Sequence, residues 1–457
     1  MDRRAAHPSA VRTELAQLLK LSWPVVLSRL GIMAMGLCDA IVVGRFSATQ
    51  LGYHALGWAP TSVVVTMVIG LLTGVQVMTA RAVGKGRSHE TGAVLRRGLS
   101  YSLWIGLASA AVLMLGGPLF LHSIGLEARL ADGATGPLLV FCLSLPVYAV
   151  STAASFWLEG LSRPGAGAWA MWIANLFNLA LDLLLVPGAF GLPALGAMGG
   201  AWATTGARTF LTVFLLAYIA MMPDARALGV FDKPERNRAV EAEQRRIGFG
   251  AGVSNFFEVA AFASMNLIAG WIGGLAVAAW AIVLNVIAVV FMVPLGLATG
   301  AAVRVGRAHG ARDPVGVTRA GLVAFGVTAV FGVGISLIIW PNAARIAQAY
   351  TSDPATLAMA IPALVLACVM LLPDCLQVVT AQALRSRGDI WLPSGTHLAS
   401  YIAIMMPLAW YLAIPRGLGI LGLVWAVIAA SLAASGLLLG RFWMLARRDA
   451  QVAPDPV

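Results

Sequence analysis

Four carboxylates, Asp39, Asp182, Glu258 and Asp374, stand inside long apolar runs of this chain. An ionisable group at mid-bilayer costs about 2.5–3.5 kcal/mol on insertion scales, so each needs a partner or a task. Asn178 precedes Asp182 by four residues, which places both on one face of a helix. Together with Asp39, and with a hydroxyl from Thr204 or Thr205, they form a set of hard oxygens. Such a set can hold Na⁺ or share a proton between two like-charged acids. Glu258 and Asp374, with Gln377 one turn beyond Asp374, form a second set. A charge pair or a hydrogen bond to a backbone carbonyl is the structural alternative for each acid. Pro24 removes a backbone hydrogen bond and is expected to act as a hinge below Asp39.

The elements that carry these groups must be membrane helices. The 457 residues are 59% hydrophobic and 11% charged, with mean hydropathy +0.84, too apolar for any soluble core of this size. Apolar runs of about 20 residues recur along the chain. Spans are predicted at 19–43, 55–80, 98–121, 136–160, 166–187, 196–222, 247–271, 276–303, 316–341, 357–384, 392–414 and 418–444. No period-two alternation suggests a barrel, and the first span lacks a small-residue cleavage site. Most of the 31 Lys and Arg fall in alternate connections, with only Arg45, Arg129, Arg345 and Arg416 in the others. The positive-inside rule then predicts cytoplasmic N- and C-termini in the inner membrane. The charge of +11 is distributed as membrane topology requires, and no basic face for nucleic acid is found.

An offset of 226 residues aligns the chain with itself. Gly70-Leu71-Leu72-Thr73-Gly74 meets Gly296-Leu297-Ala298-Thr299-Gly300, Arg81 meets Arg307, Gly84 meets Gly310, and Gly191, Leu195 and Gly196 meet Gly417, Leu421 and Gly422. The prediction is an all-α membrane protein of two parallel six-helix repeats, with lobes at 15–222 and 247–445 and a solvated cytoplasmic linker at 223–246. The substrate path is expected between the halves, which would rock. At this offset Asp39 meets Met265 and Glu258 meets Ile32, so the acids are not duplicated.

The remaining polar groups read more simply. Arg29 and Arg208 lie within spans and can neutralise a carboxylate, though Arg29 is badly spaced for Asp39. Arg81 and Arg307 are expected to snorkel at helix ends, and Glu159 to cap one. The four cysteines have no ligand spacing and read as small packing groups. His54, His122 and His397 are isolated along the chain and read as interfacial.

Leu21-Ser22-Trp23-Pro24-Val25-Val26-Leu27 followed by Cys38-Asp39-Ala40-Ile41-Val42-Val43-Gly44 resembles helix 1 of multidrug and toxic compound extrusion (MATE) transporters. Phe256-Phe257-Glu258-Val259 resembles the helix 7 glutamate motif of their NorM-like branch. Phe291-Met292-Val293-Pro294-Leu295-Gly296 with Val303 to Gly310, and Asp374-Cys375-Leu376-Gln377-Val378-Val379 with Leu384-Arg385, resemble helices 8 and 10. The likeness runs from about residue 15 to 445. It implies a MATE-like fold and export of small organic, often cationic, drug-like compounds in exchange for Na⁺ or H⁺, with no cofactor beyond the coupling ion. Carried over by position, Asp39, Asn178, Asp182 and Thr204 match a cation site, with those residues as the ligands if the ion is Na⁺. Glu258 and Asp374 match the acidic pair of the other half. Asp39, Glu258, Asp374, Gln377 and Asn285 are the expected substrate contacts. Trp280-Ala281 replaces a frequent His-Gln pair, and a fixed charge, Arg29, stands near a frequent amide. A monomer in contact with membrane lipids is expected.

The nearest rival, a flippase for lipid-linked oligosaccharides on the same superfold, calls for basic cavity residues; only Arg29 and Arg208 hint at them. An enzyme needs a convergent nucleophile and base or metal set, and none is visible. A channel is disfavoured by a self-contained duplication.

Overall fold

The computed structural model describes residues 8–125, 127–233 and 237–452. Among them there is no strand, and twelve helices are long and apolar enough to cross a membrane. In chain order they are α1 (Pro8–Phe46), α2 (Ala48–Gly84), α3 (Thr91–Ser123), α4 (Ala128–Gly160), α5 (Gly165–Leu185), α6 (Ala197–Met221), α7 (Arg238–Ile272), α8 (Gly274–Gly310), α9 (Pro314–Gln348), α10 (Pro354–Arg387), α11 (Trp391–Ala413) and α12 (Ile420–Val452). The helices overrun the predicted spans because apolar length sets the span while capping sets the helix end. The carboxylates of Asp313 and Asp353, for example, accept from the backbone N–H of Gly316 and Thr356 at the starts of α9 and α10.

The chain packs as two compact units, residues 27–252 and residues 1–26 with 253–457. The divisions therefore fall inside α1, two residues beyond Pro24, and inside α7, six residues before Glu258. Of the stretch predicted as linker, 234–236 lie outside the described residues, and from Arg238 onward the chain is already helical.

In the unit 1–26 with 253–457, the first part of α1 lies on α8. A Cβ at Gly296 would collide with Val26, and one at Gly300 with Ser22 and Leu18. Leu18 joins Leu297, Ala301 and Val305 in a core shared with α9, α10 and α12. Arg304 clamps Glu14 through two hydrogen bonds of 2.7 Å, the planar fork that suits a guanidinium on a carboxylate. In the unit 27–252, the first part of α7 lies on α2 in the same manner. A Cβ at Gly70 would come within 2.5 Å of Gly252, Gly248 abuts the Leu71 carbonyl and Gly74 that of Gln244. Arg81 reaches Glu243 at 2.7 Å. Of the duplicated glycines, Gly70, Gly74, Gly296 and Gly300 are thus points of close helix approach, as small residues permit in membranes, whereas Gly191 and Gly417 face open space. Arg81 does not snorkel; it is buried and paired. Outside the spans, Arg163 bonds Asp224, which holds that carboxyl below the usual carboxylate range.

Candidate functional site

Among the described residues, each unit gathers a pair of acids with mostly buried neighbours, Glu258 alone of the four being half-buried. In residues 27–252, α5 is drawn against α1 because Gly31 offers no side chain there. Met171 and Asn175 fill the space its Cβ would take, and the Asn175 amide donates to the Gly31 carbonyl at 3.0 Å. That crossing brings Asp182, fully buried one turn beyond Asn178, within hydrogen-bonding reach of the Asp39 carboxyl. From α6, Thr204 donates to Asp39 Oδ2 at 2.5 Å. Thr205 instead donates to the Ala201 and Val140 carbonyls and belongs to the packing.

What this cluster lacks is as telling as what it contains. Asp39 Oδ1, both oxygens of Asp182, and both the oxygen and nitrogen of the fully buried Asn178 have no hydrogen-bond partner. Buried polar atoms are normally satisfied, and each orphan costs about 1–3 kcal/mol. Two carboxylates with no donor between them need a proton or a cation there. The donor set, carboxylate, amide and hydroxyl oxygens, fits a hard monovalent cation such as Na⁺, or a shared proton, and Asp39, Asn178, Asp182 and Thr204 are the residues that would hold it. Among the described residues no three His, Cys, Asp or Glu converge as a metal centre of those side chains would.

His54 belongs here too, contrary to its expected interfacial place. It is buried, 7% exposed, with Nε2 4.0 Å from Asp39 Oδ2 and without a hydrogen-bond partner. The Phe141 ring meets it edge-on at 5.2 Å, and Gly200 on α6 leaves the room it needs. Arg208, also buried, donates to Ser144 at 2.6 Å and lies over the rings of Trp58 and Tyr148. Arg29 pairs with Glu159 at 3.8 Å, and Glu159 also accepts from Gln76 at 2.6 Å. Glu159 is therefore a buried partner and not a cap. Both arginines are engaged within their own unit.

In residues 253–457, Asp374 follows Pro373, a residue that interrupts the α10 backbone ladder. Its Oδ1 accepts from Gln377 Nε2 at 2.7 Å and from Ser431 Oγ at 3.0 Å. Gln377 Nε2 also donates to the hydroxyl of Tyr401 at 2.8 Å. Glu258 on α7 lies within hydrogen-bonding reach of that hydroxyl and close to the buried Arg385. Arg385 donates to Ser254 Oγ at 2.6 Å. His397 beside Tyr401 is buried, so it is not interfacial either, and both of its ring nitrogens lack partners. Asn285 is exposed, and its amide donates to the Ala281 carbonyl of its own helix.

Of the groups singled out in sequence, the structure gathers Asp39, Asn178, Asp182 and Thr204 in one cluster, and Glu258, Asp374 and Gln377 in the other. Missed were His54, Ser431 and Tyr401. The internal offset carried a signal for one of them, since Ser431 is the repeat counterpart of Thr205.

A duplicated bundle of twelve membrane helices with a buried, partly unsatisfied acidic cluster in each unit is the build of a polytopic transporter. The MatE family profile matches residues 24–184 and again 251–411. The chain is 62% identical over 445 residues to the probable multidrug resistance protein NorM of Caulobacter vibrioides, covering 97% of this chain and 94% of that protein. It is 31% identical over 452 residues to the multidrug resistance protein NorM of Burkholderia vietnamiensis, covering 97% and 96%. The chain belongs to the MATE family of transporters, in its NorM-like branch, and is not an enzyme. The fold agrees. An outward-facing multidrug resistance MATE transporter superposes with TM-score 0.88 at 18% identity, over 95% of this chain and 96% of that one. A MOP superfamily transporter from Pyrococcus furiosus does so with TM-score 0.86 at 18% identity, over 96% and 97%.

Proposed function

We propose that this protein exports small organic, often cationic, drug-like compounds across the inner membrane in exchange for Na⁺ or H⁺. The observation that supports coupling is the set of orphaned buried oxygens on Asp39, Asp182 and Asn178. The names carried by its relatives, multidrug resistance proteins, support the substrate class. In this reading Asp39, Asn178, Asp182 and Thr204 bind the coupling ion, and Glu258, Asp374 and Gln377 form a second place where cation and substrate compete. Pro24 serves as the hinge of α1. Competition is essential, because an ion that does not weaken the hold on substrate cannot drive its release. The protein works as a monomer within the lipid bilayer, with both termini cytoplasmic. The flippase alternative calls for basic groups free to hold a pyrophosphate, and Arg29 and Arg208 are already engaged by Glu159 and by Ser144 with two rings.

The test is efflux of a fluorescent organic cation from proteoliposomes, with a Na⁺ gradient and a pH gradient imposed separately. One of the gradients is expected to drive efflux, and Asp39→Asn and Glu258→Gln are each expected to abolish the dependence on it. Efflux that ignores both gradients, or that survives both substitutions, rejects the carboxylate mechanism.

A further inference from the structure

The second cluster contains a residue that no motif in the chain points to. Tyr401 is 1% exposed and lies in Leu398–Met405, where α11 widens into π-helical turns. Such turns are rare and recur at functional sites. Its hydroxyl accepts one hydrogen of Gln377 Nε2 at 2.8 Å, and the same nitrogen gives its other hydrogen to Asp374 Oδ1 at 2.7 Å. A primary amide nitrogen has only two hydrogens, so both are used. Turning the amide over would set its oxygen against the Asp374 carboxylate, acceptor against acceptor, so the orientation is fixed. Tyr401 Oη must therefore accept from Gln377, and its own proton is left to donate elsewhere. The Glu258 carboxylate lies within its reach. Ser431 pins the far end by donating to the same Asp374 oxygen at 3.0 Å. The hydrogen bonds Ser431 to Asp374, Gln377 to Asp374 and Gln377 to Tyr401 are continuous with their donor directions determined, and they end on a hydroxyl whose free proton faces the neighbourhood of Glu258.

We propose that Tyr401 is a positioning residue that, through Gln377, joins Asp374 and Glu258 into one responding unit. A proton arriving at Glu258 makes that carboxyl a donor as well as an acceptor, and a cation there engages its oxygens, so either weakens its claim on the Tyr401 hydroxyl proton. The strength with which the hydroxyl oxygen accepts from Gln377 then changes, and with it the hold on Asp374; the reverse sequence runs from Asp374. A tyrosine that merely filled space would need the ring and not the hydroxyl. The inference rests on the reading that these two acids exchange cations, and the experiment separates the two.

Full-length protein in detergent is titrated with acid while the infrared band of protonated carboxyl groups is followed. Glu258→Gln and Asp374→Asn are each examined with Tyr401 present and in Tyr401→Phe. With Tyr401, removing either acid is expected to move the titration of the other by about 1 pH unit, the scale at which two sites titrate as a pair. In Tyr401→Phe the mutual shift is expected to fall to the smaller part that through-space repulsion alone supplies. Gln377→Leu cuts the other link and is expected to match Tyr401→Phe, so a poorly folding tyrosine variant does not remove the test. Equal mutual shifts with and without the hydroxyl overturn the proposal, since through-space repulsion persists in the phenylalanine variant. Tetraphenylphosphonium, a permanent cation, is added to the same proteins and its binding read by tryptophan fluorescence. The combined effect of the two acid substitutions on its Kd is expected to be about 10-fold non-additive, becoming additive in Tyr401→Phe. A mutual shift that shrinks in Tyr401→Phe without any binding of this probe upholds the link and counts against export of organic cations. Binding with the mutual shift unchanged does the reverse.

Discussion

Asn178 is the residue at which the two candidate roles of a buried polar group give opposite predictions. A structural amide is satisfied by its neighbours, and removing it destabilises the fold. A ligand amide waits for its guest. Asn178 is fully buried with both polar atoms unpartnered, each costing about 1–3 kcal/mol in the absence of a bound group. Asn178→Leu, similar in volume and apolar, is therefore expected to melt at or above the wild-type temperature in detergent while losing gradient-driven efflux. A lower melting temperature with efflux intact would assign Asn178 to packing. At this scale the sequence was legible where charge met hydrophobicity: Asp39, Asp182, Glu258 and Asp374 announce themselves because lipid punishes them. His54 and Tyr401 did not, because histidine and tyrosine are ordinary at membrane interfaces. Only the approach of α1 and α6 to α2, and of α10 to α11, shows that both are buried beside acids.

Helix crossings are set by glycines in this molecule, and the same residue type plays two different parts. Gly248 on α7 has the Leu71 carbonyl where a Cβ would go, whereas Gly326 on α9 has open space. Gly248→Ala must push α7 off α2, with overpacking that costs about 1–3 kcal/mol, and it strains the Arg81–Glu243 pair a few residues away. Gly326→Ala only restricts the backbone and is expected to leave stability unchanged or raise it by about 0.5–1 kcal/mol. Thermal unfolding in detergent checks both, and equal melting temperatures for the two variants would contradict the assignment of Gly248 to a helix contact. The sequence offset had already found this class of residue, since Gly70 and Gly74 recur as Gly296 and Gly300. It did not show what they touch. These four repeated glycines mark positions where helices approach closely, but the partner was decided by the chain passing between compact units inside α1 and α7. A division read from a linker's composition has no access to that.

For the whole molecule, twelve helices and their duplication were legible because a hydrocarbon solvent leaves few choices: every span must be long, apolar and internally hydrogen-bonded. Orientation follows from a weaker force, the bias of Lys and Arg between connections, and it determines the direction of transport. The α5–α6 connection contains Phe190, 98% exposed, while the α8–α9 connection contains the exposed Arg312. With a cytoplasmic N-terminus, five crossings place the first outside and eight place the second inside. The native thiols are buried except for half-buried Cys38, so a cysteine-free background is a modest change. Single cysteines introduced by Phe190→Cys and Arg312→Cys are then exposed to a membrane-impermeant maleimide on intact cells. The first is expected to label at once, and the second only after the membrane is opened. The reverse pattern would turn the protein over and make the same gradients drive import. Labelling of both from one side would remove an odd number of crossings between residues 190 and 312, and with it the two parallel repeats on which one acidic cluster per unit depends.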